Sequence, residues 1–147
     1  MKDIKYIFID IDGVLYRGNH PIRGAREFID YLIEQNIKFI CVTNNSSKSP
    51  ADYSRKLKNM NINIQENEII NSGVATVEFL KETYLKENYN LSAYVVGGDG
   101  LISLIQNAGI KIEEKNPDFV IVGWDIAFTY EKMKKASLAI QKGAIYM

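Results

Sequence analysis

Two aspartates, Asp10 and Asp12, stand one residue apart at the end of an apolar segment and directly before Gly13. Residues 5–11 read as a strand that is buried on both faces, and we therefore expect the two carboxylates to be at least partly buried. A buried carboxylate is costly unless it is paired, hydrogen-bonded or bound to a metal. The pair predicts either a cation or a reaction at this strand end.

The residue types suit phosphoryl transfer. Asp10 could attack phosphorus as a nucleophile, which splits one difficult displacement into two easier ones. Asp12 could protonate the leaving oxygen and then accept a proton from the attacking water. The two carboxylates also suit Mg²⁺, a hard cation that prefers oxygen ligands, and Gly13 permits a tight turn with close backbone approach.

A second polar cluster, residues 43–47, follows the apolar segment 38–42. Thr43 and Asn44 offer hydroxyl and amide donors for the oxygens of a transferring phosphoryl group. Asn45 either extends that cradle or satisfies the loop. Because the carboxyl ends of parallel strands share one edge of a sheet, the two clusters together indicate an α/β active site.

Each cluster alone has a simpler interpretation. An isolated Asp-x-Asp-Gly sequence is more often a turn or part of a calcium loop. An EF-hand loop starting at Asp10 would need a ligand near Val14 and a glutamate near Pro21, and neither is present. A run such as residues 43–47 is more often a plain polar loop. The combination, with each cluster after an apolar strand and one helix between them, is the stronger signal.

The order of elements predicts an α/β fold with parallel strands and right-handed crossovers. The pattern β-α-β-α-β-α runs to about residue 87 and then restarts. We expect strands at residues 5–11, 38–42, 68–72, 93–96 and 118–123, with a further strand beginning at 144–147, and helices at 24–35, from 50, 73–87, 101–108 and 130–142. A boundary in the polar stretch 84–90 divides the chain into domains at 1–88 and 89–147.

Composition excludes several classes of function. The 147 residues carry 18 basic and 18 acidic side chains, so a nucleic-acid partner, which requires a basic excess, is not expected. One cysteine and one histidine leave neither a disulfide framework nor a closed zinc site. No apolar run approaches membrane-spanning length, which predicts no membrane partner and a cytoplasmic location. We expect Lys135 to pair with Glu131 on a solvated helix face.

Three other features have structural interpretations. Gly98 and Gly100 partly match a dinucleotide-binding pattern whose third glycine is missing, so we expect a strand-to-helix turn. Cys41 is predicted to be a small core residue. Trp124, just beyond a strand end, is either a core residue or an aromatic that faces a ligand, and we expect it in the core.

Residues 10–18 resemble the first motif of the haloacid dehalogenase (HAD) superfamily of phosphohydrolases. Residues 43–50 resemble its second motif in the form used by the NagD and 4-nitrophenylphosphatase group, and residues 94–97, 117–123 and 129–132 are also similar to that group. The resemblance implies an α/β fold with a Rossmann-like, three-layer parallel core, here incomplete, followed by part of an α/β cap domain.

The resemblance also implies roles for single residues. Asp10 is the expected nucleophile and Asp12 the expected acid and base. Asp10 through its carboxylate and Asp12 through its backbone carbonyl are the expected Mg²⁺ ligands. The residues expected to bind the phosphoryl group of a small phosphorylated metabolite are Gly13, Thr43, Asn44 and Asn45. A homo-oligomer is left open as a partner.

The family's third motif, a lysine, and its fourth, a Gly-Asp cluster, are not found after Gly97, because residues 98–100 lie too early. We therefore expect an N-terminal portion of a phosphatase, with an open sheet edge and low or no activity by itself. A non-catalytic phosphate- or metal-binding module, or a subunit that associates with another chain, is the alternative. A receiver-like domain is disfavoured by the position of Asp10 at the very end of the first strand.

Overall fold

The computed structural model describes residues 4–86 and 90–147. These residues form two compact units. The first comprises the described residues of Met1–Asn44 together with Pro50–Asn71, and the second comprises those of Asn45–Ser49 together with Ser72–Met147. The expected domain boundary at residues 88 and 89, and the expected end of a helix near residue 87, lie outside the described residues.

The first unit contains a parallel sheet with the strand order β1-β4-β5 and a short antiparallel hairpin, β2-β3. A 3₁₀ turn at Glu66–Glu68 leads into the last strand. In chain order the elements are β1 (Tyr6–Asp10), β2 (Tyr16–Arg17), β3 (His20–Pro21), α1 (Ala25–Glu34), β4 (Lys38–Thr43), α2 (Pro50–Lys58) and β5 (Ile69–Asn71).

Local sequence explains where the two helices begin. Gly24 precedes α1 with a φ of 87°, a conformation that glycine adopts without steric cost. Pro50 occupies the first position of α2, where its missing N–H costs no hydrogen bond. Buried residues of both helices, such as Leu32 and Leu57, join Cys41 of β4 in one hydrophobic core. The core therefore lies between the helices and a single face of the sheet.

The expectation that the first strand is buried on both faces is wrong. Among the described residues β1 pairs only with β4, and Phe8 is 73 % exposed. Ile7 and Ile9 face the core, whereas Tyr6 and Phe8 lie on the opposite face. With the order β1-β4-β5, successive right-handed crossovers place both helices on the same side, which leaves the other face of this unit open.

The second unit contains a four-stranded parallel sheet with the order β7-β6-β8-β9. A π-helical turn at Lys81–Leu85 follows its first helix. In chain order the elements are α3 (Ser72–Leu80), β6 (Ser92–Val96), α4 (Asp99–Asn107), β7 (Lys111–Ile112), β8 (Phe119–Val122), α5 (Tyr130–Gln141) and β9 (Ile145–Tyr146).

Helices cover both faces of this second sheet. Leu80 of α3 and Leu101 of α4 pack with Phe119 on one face. Ala136 of α5 packs with Val120 on the other. Thr129 caps α5 by accepting a hydrogen bond from the Lys132 N–H at 3.2 Å. The unit is a three-layer arrangement whose central strands are buried on both sides.

Three expectations at the level of single side chains can be compared with the structure. Cys41 is fully buried in the core, as expected. The expectation that Trp124 lies in the core is wrong, because this residue follows β8 in a loop and is 63 % exposed. Lys135 pairs with Glu114 at 2.7 Å rather than with Glu131, because the loop after β7 brings Glu114 within reach of α5. In the described part of the chain, no helix has both the length and the apolar character needed to span a membrane.

The burial of Cys41 gives a test of the core. Burial raises the pKa of its thiol to about 12, and the thiolate is the form that reacts with alkylating agents. We expect Cys41 to react with iodoacetamide much more slowly in the native protein at pH 8 than in the same protein unfolded in urea. Mass spectrometry of quenched time points measures both rates. Equal rates in the two states would contradict the buried position of Cys41.

Candidate functional site

The carboxyl ends of β1 and β4 carry the first group of predicted site residues. Asp10 is the last residue of β1, and its partner in the sheet is Val42 of β4. Thr43 directly follows Val42. Asp10 and Asp12 are both exposed, so the expectation of partly buried carboxylates is wrong. The reason is that β1 lies at the edge of its sheet and ends in a turn that is open to water.

A tight turn positions Asp12. Gly13 has a φ of 87°, and a Cβ added to it would meet no atom within 4 Å, so its backbone conformation rather than crowding favours glycine. The Gly13 N–H donates to the Tyr16 carbonyl at 2.9 Å, and the Leu15 N–H donates to the Ile11 carbonyl at 3.0 Å. These bonds fold the chain back after β1 and place Asp12 beside Tyr16.

A hydrogen bond joins Asp12 to the second cluster. The Thr43 Oγ1 donates to the Asp12 Oδ2 at 3.1 Å, and Thr43 is itself only 7 % exposed. The structure therefore brings Asp10, Asp12, Gly13 and Thr43 to one edge of the first unit, as the sequence predicted. Hydroxyl and carboxylate groups at such an edge are the components that phosphoryl transfer requires.

Two buried tyrosines belong to the same network, and the sequence reasoning missed both. Burial raises the pKa of the Tyr16 phenol well above its usual range, and its hydrogen bond to the Asp12 carboxylate adds to the effect. Burial also raises the pKa of Tyr53 to about 12, with a further contribution from the charge of Asp12. Tyr53 is hydrogen-bonded to Thr43. This hydrogen bond opposes the upward shift of the Tyr53 pKa but does not cancel it.

Asn44 and Asn45 occupy different compact units. Asn44 is the last residue of its segment in the first unit, and Asn45 opens the segment Asn45–Ser49 of the second. The Asn45 Oδ1 accepts a hydrogen bond from the Ser47 N–H at 3.0 Å, which closes a turn within the loop. Roles for Asn44 and Asn45 in phosphate binding stay predictions.

Two glycines of the second unit hold this loop by close backbone contact. A Cβ on Gly98 would lie 2.8 Å from the Ser47 carbonyl oxygen, and a Cβ on Gly100 would lie closer still to the Lys48 backbone. The Gly100 N–H donates to the Ser47 carbonyl at 3.2 Å. Gly98 precedes α4, which confirms the expected strand-to-helix turn. Both positions also require glycine because a side chain would collide with the loop backbone. The glycine pattern in the sequence does not reveal this contact.

The oxygen donors of Asp10 and Asp12 are of the type that Mg²⁺ accepts. Mg²⁺ is usually bound by one or two carboxylates and keeps several waters. Both residues are exposed, which leaves room for those waters. Across residues 4–86 and 90–147, no group of three or more His, Cys, Asp or Glu side chains could hold a metal ion. The pair thus fits a weak, hydrated magnesium site better than a closed metal cage.

Comparison with known proteins identifies a family and named relatives. The family model described as haloacid dehalogenase-like hydrolase matches residues 7–111. The acid sugar phosphatase of Staphylococcus haemolyticus is 39% identical over 148 positions, covering 100% of this chain and 55% of that protein. The chain spans about half the length of the curated relatives it matches.

Solved structures agree with the family match. The 4-nitrophenylphosphatase of Thermotoga maritima superimposes with a TM-score of 0.88 at 34% sequence identity, covering 97% of this chain and 53% of that one. NagD from E. coli gives a TM-score of 0.83 at 32% identity, covering 96% and 54%. Both share the present fold over about half of their own length.

The contact between Gly100 and the loop predicts the sign of a substitution. In an exposed helix, Gly→Ala stabilises by about 1 kcal/mol. At Gly100 the added methyl group meets the Lys48 backbone, and such overpacking costs about 1–3 kcal/mol. We therefore expect Gly100→Ala to lower the free energy of unfolding, measured by urea denaturation. The exposed Ser103 lies on the same helix, and Ser103→Ala is the control that should not destabilise. A Gly100→Ala protein as stable as wild type would rule out the close contact.

Proposed function

Because the chain belongs to the haloacid dehalogenase-like hydrolase family, we propose that it contributes to a magnesium-dependent phosphatase that acts on small phosphorylated metabolites through an aspartyl-phosphate. The names of its relatives, acid sugar phosphatase and 4-nitrophenylphosphatase, support a phosphate monoester as the substrate. The expected cytoplasmic location and a homo-oligomeric state stay predictions.

One observation carries the proposal. The Thr43 hydroxyl, at the end of β4, donates to the Asp12 carboxylate, which lies two residues after Asp10, the last residue of β1. This arrangement supports the proposal because a carboxylate that could act as nucleophile, a second that could exchange protons and a hydroxyl that could bind phosphate lie at one edge of one sheet. A plain turn or polar loop does not require that combination.

The proposed reaction has two displacements. An Asp10 carboxylate oxygen forms a bond to phosphorus, the bond between phosphorus and the ester oxygen breaks, and Asp12 gives its proton to the departing oxygen. Water then attacks the same phosphorus, Asp12 takes a proton from that water, and the bond to Asp10 breaks to release inorganic phosphate. Asn44, with Asn45, would donate hydrogen bonds to the phosphoryl oxygens, and the Thr43 hydroxyl would do the same by turning its proton from Asp12 to the phosphoryl group.

Magnesium would be held by Asp10 and Asp12. Bound there, it would offset the repulsion between the Asp10 carboxylate and an anionic phosphate ester. The two exposed carboxylate residues fit this ion, as described above. Their small number also suggests weak binding, because Mg²⁺ would depend on waters and substrate oxygens for its other ligands.

We further propose that turnover by a polypeptide of these 147 residues is low. The described residues hold no group of three or more metal-ligating acidic, histidine or cysteine side chains, so Mg²⁺, which would neutralise charge on the transferring phosphoryl group, would be held only weakly. The small number of metal-ligating side chains also favours the alternative function, in which the protein binds phosphate or a metal without catalysis. Turnover and binding measured on one sample separate the two functions.

The first test measures whether the protein binds an analogue of the proposed aspartyl-phosphate. Trifluoroberyllate binds a nucleophilic aspartate as an analogue of aspartyl-phosphate, and we expect the protein to bind it in the presence of Mg²⁺. Asp10→Asn should abolish binding because it removes the carboxylate, whereas Asp30→Asn, at a solvent-exposed ion pair on α1, should not. Fluorine NMR measures the bound fraction. Failure of the wild-type protein to bind would overturn the proposed chemistry.

Hydrolysis of 4-nitrophenyl phosphate by the same samples is the second test. We expect slow, Mg²⁺-dependent release of nitrophenol that Asp10→Asn removes. Rapid turnover that is lost in Asp10→Asn would support the phosphatase and refute the proposed low activity. Trifluoroberyllate binding with no detectable turnover would favour the non-catalytic alternative.

A further inference from the structure

Two hydroxyl groups from different elements hold the Asp12 carboxylate. One belongs to Thr43 of β4, which donates at 3.1 Å, and the other belongs to Tyr16 at the start of β2. Both donors are buried, with Tyr16 only 3 % exposed, whereas Asp12 itself is exposed. Without these bonds, an exposed carboxylate on a turn would rotate freely in water. The two donors limit it to a narrow range of orientations.

Helix α2 in turn contacts both hydroxyl-bearing residues. The Tyr53 hydroxyl contacts Thr43, and the Lys56 ammonium lies 3.7 Å from the centroid of the Tyr16 ring. An ammonium over an aromatic face is attracted by the electron density of the ring. Tyr53 and Lys56 are three residues apart, so they project from the same side of the helix. One helix face therefore supports both contacts to Asp12.

We propose that Tyr16, held in place by Lys56, is a positioning residue that fixes the direction of the Asp12 carboxylate for proton transfer. The proposal rests on the function proposed above, in which Asp12 exchanges protons with the departing oxygen and the attacking water. Proton transfer requires donor and acceptor atoms to meet at hydrogen-bond distance. Tyr16 touches Asp12 and no reacting atom, so its effect acts through Asp12.

The proposal separates two stages of the reaction. Trifluoroberyllate on Asp10 mimics the aspartyl-phosphate and needs no proton transfer. Tetrafluoroaluminate mimics the phosphoryl group in transit together with its attacking water, which Asp12 must contact. A residue that orients Asp12 should matter for the second analogue and little for the first. A residue that only maintains the fold would affect both alike.

The experiment measures the affinity of the 147-residue protein for each analogue, with Mg²⁺ present, by fluorine NMR. Tyr16→Phe keeps the ring and its contact with Lys56 but removes the hydroxyl. We expect it to weaken tetrafluoroaluminate binding roughly tenfold or more, the usual effect of losing a hydrogen bond to a charged group, while trifluoroberyllate binding changes by less than about twofold. Lys56→Met should shift the ratio of affinities in the same direction by a smaller factor.

Matched controls come from the same unit. Tyr31→Phe removes a hydroxyl from a partly exposed tyrosine on α1, and Lys58→Met removes an exposed charge from α2. Neither should change the ratio of the two affinities. Urea unfolding of every variant shows whether its fold is retained. If Tyr16→Phe does not fold, Lys56→Met decides the proposal.

The outcomes distinguish this proposal from the function on which it rests. If wild type binds neither analogue, the proposed phosphatase chemistry fails and the role of Tyr16 fails with it. If wild type binds both and Tyr16→Phe binds both equally well, the positioning role is wrong and the phosphatase proposal stands. A variant that loses both analogues to the same extent would assign Tyr16 to the fold alone, which also overturns the positioning role. Selective loss of tetrafluoroaluminate binding supports it.

Discussion

The parallel pairing of β1 with β4 is the constraint on which the candidate site depends. Its register sets Asp10 opposite Val42, so the residues that follow each strand emerge side by side. A shift of one residue would turn alternate side chains to the other face of the sheet and separate Thr43 from Asp12. The core preserves this register, because Ile9 and Cys41 are paired across the strands and are both buried against the helices.

Sequence patterns were sufficient for much of the fold and for the main site residues. The helices expected at residues 24–35 and 130–142 agree with α1 and α5 to within a residue or two, since the residues that start and end a helix are local features of the sequence. The proximity of Asp12 and Thr43 followed from a general property of parallel sheets, whose carboxyl ends share one edge. These predictions needed no knowledge of particular side-chain contacts.

Other features depend on contacts that sequence patterns do not encode. The apolar residues of β1 predict a buried strand, yet Phe8 is exposed. Burial depends on which elements pack against a strand and not on its composition alone. Tyr16 and Tyr53 look like ordinary core aromatics, and only their three-dimensional positions bring their hydroxyls into one network with Asp12. The contact of Gly100 with the Lys48 backbone is likewise invisible in a pattern of glycines.

Because α2 contacts both Thr43 and Tyr16, the proposed positioning role would link the stability of this helix thermodynamically to the occupancy of the site. A ligand that requires the fixed orientation of Asp12 would bind more tightly while Tyr53 and Lys56 keep their contacts with Thr43 and Tyr16. Binding would then raise the free energy of local opening of α2 (Pro50–Lys58), by the same linkage through which ligands stabilise native states. Slower exchange of the backbone amide hydrogens of this helix would then indicate ligand binding near Asp12, although the helix itself holds no proposed catalytic group.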